Sequence, residues 1–387
     1  MLYDKLKVYA DSGMCPMHMP GHKRNAEYMP PGLPYDIDIS EIHGFDVLRD
    51  PQGVLLETEK LAAQLYGSLD AFMLVNGSTI GMLTAIGAHT KRGDKILAYG
   101  KCHRSTPNAA ELFGLELVYV EPRIDRASGV PCSITPAAIE SALETNPDIK
   151  LVVLTSPTYE GVVSDVAAIS DVVHGEGIPL VVDSAHGAHL GFSDAFPKSA
   201  IALGADVVVV SLHKTLPALT QCSLLHVCSE RADTARIKRL LSILQTTSPS
   251  YVFMASIDHC LRLLKSDKDK LFNDYERNLA HFSNRVMDVN NMAVLCHGRD
   301  SLHPGFFDFD MGKIVVVTKN TALSGMELAY ILKDDYMVEI ERVHNNYVIA
   351  MTSICDRPES LVRFADALCA IDARPNVMGF RGQGKRK

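Results

Sequence analysis

Residues 205–221 read ADVVVVSLHKTLPALTQ, an apolar run that ends abruptly in Ser211, His213, Lys214 and Thr215. Lysine normally keeps its ammonium in water. At the mouth of a buried strand, desolvation favours the neutral amine, and a neutral lysine is a nucleophile. Other apolar runs end in polar residues in the same way. LVVLT is followed by Ser156, Pro157, Thr158 and Tyr159, and PLVVD by Ser184, Ala185 and His186. AFMLV leads into Asn76, Gly77, Ser78 and Thr79, and KILAY into GKCHRS, with His103 and Ser105.

Each ending suits a different part of one ligand. Gly77, Ser78 and Thr79 open a helix, where free N–H groups and hydroxyls receive an anion. Ser211 and His213 add donors. No Walker lysine and no G-x-G-x-x-G motif accompanies them. Asp183, closing an apolar strand, can pair with a cationic ring nitrogen, and His103 can lie flat against a ring. A phosphate, a pyridinium and an amine-bound carbonyl together describe pyridoxal phosphate, carried as a Schiff base on Lys214.

The elements that position these residues follow an α/β rhythm. The apolar runs are continuous rather than alternating and are joined by helical stretches such as TPAAIESALETN, the pattern of a mainly parallel sheet covered on both faces. Residues 1–55, rich in Pro, Gly, Met and His, read as an irregular arm lying over the rest. Residues 56–262 form the large α/β domain. Residues 263–375 form a small α+β domain, with a long helix broken or bent near Lys265–Lys270, a strand at GKIVVVT, a hairpin turning at Asn345-Asn346, and a last helix capped by Asp356. Residues 376–387 are a basic tail.

Asp-x-Ala-His followed by Ser-x-His-Lys resembles the fold-type I pyridoxal phosphate enzymes. More narrowly, the chain resembles the Orn/Lys/Arg decarboxylases, in the stretches MPGHKRN, DISEIHGFDVLRDPQGVL, NGST, CHRS, SPTYEGV, DSAHGAHLGF, SLHKTLPALTQ and LQTTSPSYVFMASID. The resemblance implies a seven-stranded, mainly parallel sheet and a small C-terminal domain. It implies that Lys214 binds the cofactor, Asp183 pairs with its ring nitrogen, His103 and Ala185 pack on its two faces, and His186 lies near the imine and ring hydroxyl. Ser78, Thr79, Ser211 and His213 would hold its phosphate. Ser248 and Ser250 would reach the cofactor of a second subunit in a homodimer. Departures from the family are the lack of the extra N-terminal domain of its large inducible members and a chain that stops soon after Ile371, without the segment that covers the site in relatives.

The expected reaction is decarboxylation of arginine, lysine or ornithine. Glu41, Asp46, Asp50 and Glu160 are the acids that could read a basic side chain. An aminotransferase or a lyase is the alternative within the cofactor class; an aminotransferase would clamp the substrate carboxylate with an arginine such as Arg342 or Arg363. A non-catalytic cofactor-binding paralogue is the alternative outside it. His186 and His189 stand at i, i+3, but no third ligand of suitable type is near, so no metal is expected. A net charge of −8 argues against nucleic acid. Nine cysteines without a C-x-x-C pair read as reduced thiols. With no apolar signal-like start and no run of membrane-spanning length, the expected location is the cytoplasm.

Overall fold

The computed structural model describes residues 1–298, 302–318, 321–374 and 377. The basic tail expected over 376–387 lies outside the described residues, Val377 excepted. The chain opens with helix α1 (Leu2–Ala10), not the irregular path expected of the whole arm. The prolines begin only at Pro16, and Leu2 and Leu6 fall on one helical face, fully buried. The backbone N–H of Leu2 donates to Asp258 at 2.8 Å, which ties the start of the chain to the core. Residues 11–53 contain neither helix nor strand.

The central layer follows as α2 (Val54–Tyr66), β1 (Asp70–Leu74), α3 (Gly77–Ala88), β2 (Lys95–Tyr99), α4 (Ser105–Phe113), β3 (Glu116–Val120), α5 (Pro136–Thr145), β4 (Ile149–Thr155), β5 (Val162–Val163), α6 (Val166–Gly175), β6 (Leu180–Asp183), β7 (Val207–Ser211), the single turn α7 (Leu212–Thr215), β8 (Ser223–Val227) and α8 (Thr234–Leu244). Seven strands pair in the order β1-β8-β7-β6-β4-β2-β3. Only β8 runs against its neighbours; the other pairs are parallel. Alternate residues of β7 enter opposite cores, Val208 and Val210 on one face and Val207 and Val209 on the other. This two-sided burial is the reason the strands are apolar throughout.

The C-terminal part comprises α9 (Tyr251–Arg285), β9 (Ala293–Val294), β10 (Asp308–Phe309), β11 (Lys313–Val317), α10 (Gly325–Tyr336), β12 (Arg342–Val343), β13 (Tyr347–Met351) and α11 (Pro358–Asp372). Helix α9 continues for 35 residues through the expected break at 265–270. The KSDKDK run holds no Pro or Gly, and its lysines and acids are good to tolerable helix formers. Position 262, where the sequence suggests a change of domain, therefore lies inside one helix. Strands β12-β13-β11-β9 form an antiparallel sheet, with the hairpin at Asn345-Asn346 as expected. Helix α11 is preceded by Arg357 as its N-cap; Asp356 instead accepts the Ser353 N–H at 2.6 Å. Strand β10 pairs with β5, clipping this region onto the central one. Among the described residues no helix is long and apolar enough to cross a membrane.

Candidate functional site

Because six of the seven strands point the same way, β1, β2, β4, β6 and β7 all finish on one edge of the sheet, where ligands bind in open α/β folds. Lys214 follows β7 in α7, with Nζ 3.1 Å from His186 Nε2. Burial lowers the Lys214 amine from the ordinary lysine value; Asp183 and Glu341 pull it up, and Lys313 pushes it further down. His186 is held neutral, its pKa far below the usual imidazole value because of burial and the nearby Lys313 and Lys214 cations. Asp183 ends β6, beside Thr155 at the end of β4. Its Oδ1 accepts the Ala185 N–H at 3.1 Å, its one hydrogen bond among the described residues. Burial raises the Asp183 carboxyl, while Lys214, the Ala185 N–H and His103 oppose the rise.

At the anion end, Ser211 Oγ donates to Ser78 Oγ at 2.9 Å, joining β7 to the first turn of α3. Gly77 adopts φ +74° and its N–H already donates to the Gln221 carbonyl at 3.0 Å. Gly77 thus shapes the turn, and the free amides at this helix start belong to Ser78 and Thr79. His213 Nδ1 meets the Cys222 carbonyl at 3.0 Å. The exposed His103 meets Ser105 Oγ at 2.9 Å and lies close enough to Asp183 and His186 to affect their protonation.

Other expectations separate from this cluster. Ser250 caps α9 through the Phe253 N–H at 3.4 Å, and the exposed Ser248 donates its N–H to Thr246 at 3.2 Å. Neither bonds to a residue around Lys214. His186 and His189 turn to different partners, Lys214 and Asp310. Asp46 spends both oxygens on the backbone N–H groups of Val47, Gln52, Gly53 and Leu55. Glu41 accepts the Leu48 N–H at 3.3 Å, and Asp50 faces Gln52 at 3.2 Å. Within the chain these three arm acids serve the arm. Glu160 accepts the Tyr347 hydroxyl at 2.9 Å.

The sequence reading missed Glu341. Tyr159 packs its ring 4.5 Å from that of His186 and donates its hydroxyl to Glu341, while the Arg342 guanidinium lies 5.1 Å over the Tyr159 ring. Glu341 sits in VEIER, whose alternating charges read as a solvated strand edge. Nothing local to the sequence signals that the C-terminal part of the chain carries it back towards Lys214.

The cluster fits pyridoxal phosphate. Thr155 Oγ1 and His186 Nδ1 are buried without hydrogen-bond partners, beside a buried carboxylate with one N–H donor and an amine whose pKa burial lowers. Such groups are costly unless a ligand completes them. Two linked hydroxyls at a helix start stand at the anion end.

A family model described as the major domain of Orn/Lys/Arg decarboxylase matches residues 1–313. The chain belongs to this family. An uncharacterised Bacillus subtilis protein, YaaO, is 43% identical over 263 residues, covering 66% of this chain and 55% of its own length. An arginine decarboxylase of Halalkalibacterium halodurans is 29% identical over 374 residues, covering 95% of this chain and 76% of its own. The solved constitutive lysine decarboxylase of Escherichia coli shares the fold, with a TM-score of 0.81 at 19% identity over 96% of this chain. This chain spans 60% of that protein and 55% of YaaO. The expected fold-type I architecture, a seven-stranded mainly parallel sheet with a smaller α+β part, is the one observed.

Proposed function

We propose that the chain removes CO2 from a basic amino acid, with pyridoxal phosphate as cofactor. The observation that carries this is the meeting at one sheet edge of Lys214, a half-buried amine 3.1 Å from His186 Nε2, and Asp183, a buried carboxylate with one N–H donor. When bound, the cofactor supplies an electron sink for the bond that breaks at the substrate α-carbon. Lys214 would hold it, Asp183 would keep its ring nitrogen protonated, and His103 and Ala185 would flank the ring. Ser78, Thr79, Ser211 and His213 would bind its phosphate. His186, neutral and bonded to Lys214, accepts or returns the lysine proton at Nε2.

The basic side chain is read by Glu341, with Tyr159 as its support. Glu341 acts on Lys214 electrostatically, whereas the three arm acids are engaged in the arm. Arginine and lysine decarboxylases among the relatives support a cationic substrate. Pairing into a homodimer in the cytoplasm, with Ser248 and Ser250 facing a second subunit, belongs to the same reading. Arg342, poised over Tyr159, favours an aminotransferase as the second reading.

The products separate them. The purified protein with pyridoxal phosphate is incubated with arginine, lysine and ornithine separately, and products are read by mass spectrometry. An amine lighter than its substrate by CO2 supports the decarboxylase and names the substrate. A keto acid favours the second reading, and neither product removes the assignment.

A further inference from the structure

Three further ionisable side chains meet behind His186. Lys313, the first residue of β11, is fully buried, and its Nζ lies 3.3 Å from Asp310 Oδ2 and 3.4 Å from the His186 carbonyl oxygen. Asp310, fully buried as well, accepts through Oδ1 from His189 at 3.0 Å and from the Gly312 N–H at 2.9 Å. The lysine stem runs against Gly161, where a Cβ would sit 2.7 Å from Lys313 Cβ. The Asp310 N–H donates to the Gly161 carbonyl at 2.8 Å. The loop that presents Tyr159 and Glu160 is therefore the one that receives Lys313.

A buried ion pair is a poor structural tie. Taking both charges out of water costs several kcal/mol, and apolar residues of similar volume often hold as well or better. What an apolar substitute would lack is the charge, and here the charge faces the reacting groups. We propose that Lys313 is a positioning residue of the Lys214 site: fixed by Asp310 and His189, it anchors the His186 main chain and sets the positive end of its ion pair behind the His186 imidazole and the Lys214 amine. The inference rests on the reading of Lys214 as the reacting amine. Lys214 is faced by Asp183 from β6, by His186 from the loop after it, by Glu341 from the small domain and by Lys313 from β11. Asp183 and Glu341 favour its protonated form; Lys313 opposes them. Burial chiefly keeps the His186 imidazole a neutral partner for the amine; Lys313, Lys214 and His103 add to that effect and Asp310 opposes it.

The test follows Lys214 itself rather than turnover. Full-length protein freed of cofactor is labelled with acetic anhydride from pH 6 to 10, and the Lys214 peptide is quantified by mass spectrometry, with the exposed Lys101 as internal reference. The double variant Lys313→Met, Asp310→Asn removes both charges together and leaves neither unpaired. It is expected to fold and to label Lys214 about fivefold more slowly at pH 8, because the amine holds its proton more tightly, with Lys101 unchanged. A folded double variant with a wild-type Lys214 profile overturns the proposal. Amine formation without the Lys214 shift would overturn this inference and leave the proposed function standing. The shift without amine from any of the three substrates would do the reverse.

Discussion

Ser211 Oγ, at the end of β7, donates to Ser78 Oγ in the first turn of α3 at 2.9 Å. The bond requires α3 to lie hard against the sheet, and Gly81 permits this. A Cβ at Gly81 would stand 2.7 Å from both Leu74 Cδ1 and Val209 Cγ1. The anion end of the site thus depends on a missing methyl group one turn along the helix.

Gly81→Ala is expected to cost about 1–3 kcal/mol from overpacking, offset in part by about 1 kcal/mol of helix propensity. It should also loosen cofactor binding, since the helix start must lift from β7. Gly175→Ala, at the end of α6 with open space around it, is the control and should be neutral or slightly stabilising. Urea midpoints of the two variants check this; equal shifts would show that the α3 approach is not tight.

Asp183 shows the tension between site and stability. Its carboxylate is buried with one N–H donor, and burial raises its pKa. Asp183→Asn should therefore stabilise the cofactor-free protein, by about 1–2 kcal/mol, while weakening cofactor affinity by about tenfold or more, ~1.4 kcal/mol. Calorimetry of the free protein and a cofactor titration measure the two effects. A variant that loses stability without losing affinity would assign Asp183 to the fold alone.

Two acids separate structure from recognition. Asp46→Ala removes a carboxylate that satisfies four backbone N–H groups at the entry to α2, and should cost about 1–2 kcal/mol with KM unchanged. Those N–H groups hold the Asp46 carboxyl below its usual pKa although burial pulls it upward. Its contribution is therefore full above the unfolded carboxylate range and is lost as pH falls below about 4. Glu341→Gln should leave stability nearly unchanged and raise KM about tenfold. Steady-state kinetics beside denaturation curves decide the assignment; a KM effect in Asp46→Ala instead of Glu341→Gln would reverse it.

The candidate site was legible in the sequence where one strand end carried its own chemistry. Asp183 and Ser211 close continuous apolar strands and Lys214 follows one of them in α7, so their polar types stood out and the sheet edge gathered them. Strand β8 was not read, because SLLHV follows Lys214 too closely to suggest a return across the sheet. Glu341 and Lys313, which the structure brings near Lys214, were not read as candidates either. A lysine at the start of IVVV and a glutamate among alternating charges both look solvated until the β5–β10 pairing brings the C-terminal region onto the loop after β4. Helix α1 went unread because the composition of residues 11–50 masked nine regular residues before it.

Two histidines outside the site set an acid limit on the fold. His226, wholly buried in β8, bonds to Ser68 at 2.9 Å through Nδ1 and has no partner at Nε2; burial pushes its pKa down to about 3. His297 bridges Ser283 at 2.7 Å and the Met311 carbonyl at 3.0 Å, and burial lowers it to about 4. The unfolded chain titrates histidine near 6.5, so between about pH 6.5 and these folded values it binds more protons than the native state. Stability is therefore full above about pH 6.5 and falls on acidification, by up to about 1.4 kcal/mol per pH unit for each group. His226→Gln keeps a hydrogen-bonding group for Ser68 but takes up no proton. Its urea midpoint should fall less steeply than that of the wild type between pH 6 and pH 4, whatever its stability at pH 7. Parallel slopes would mean that His226 gains a proton without unfolding the strand that buries it.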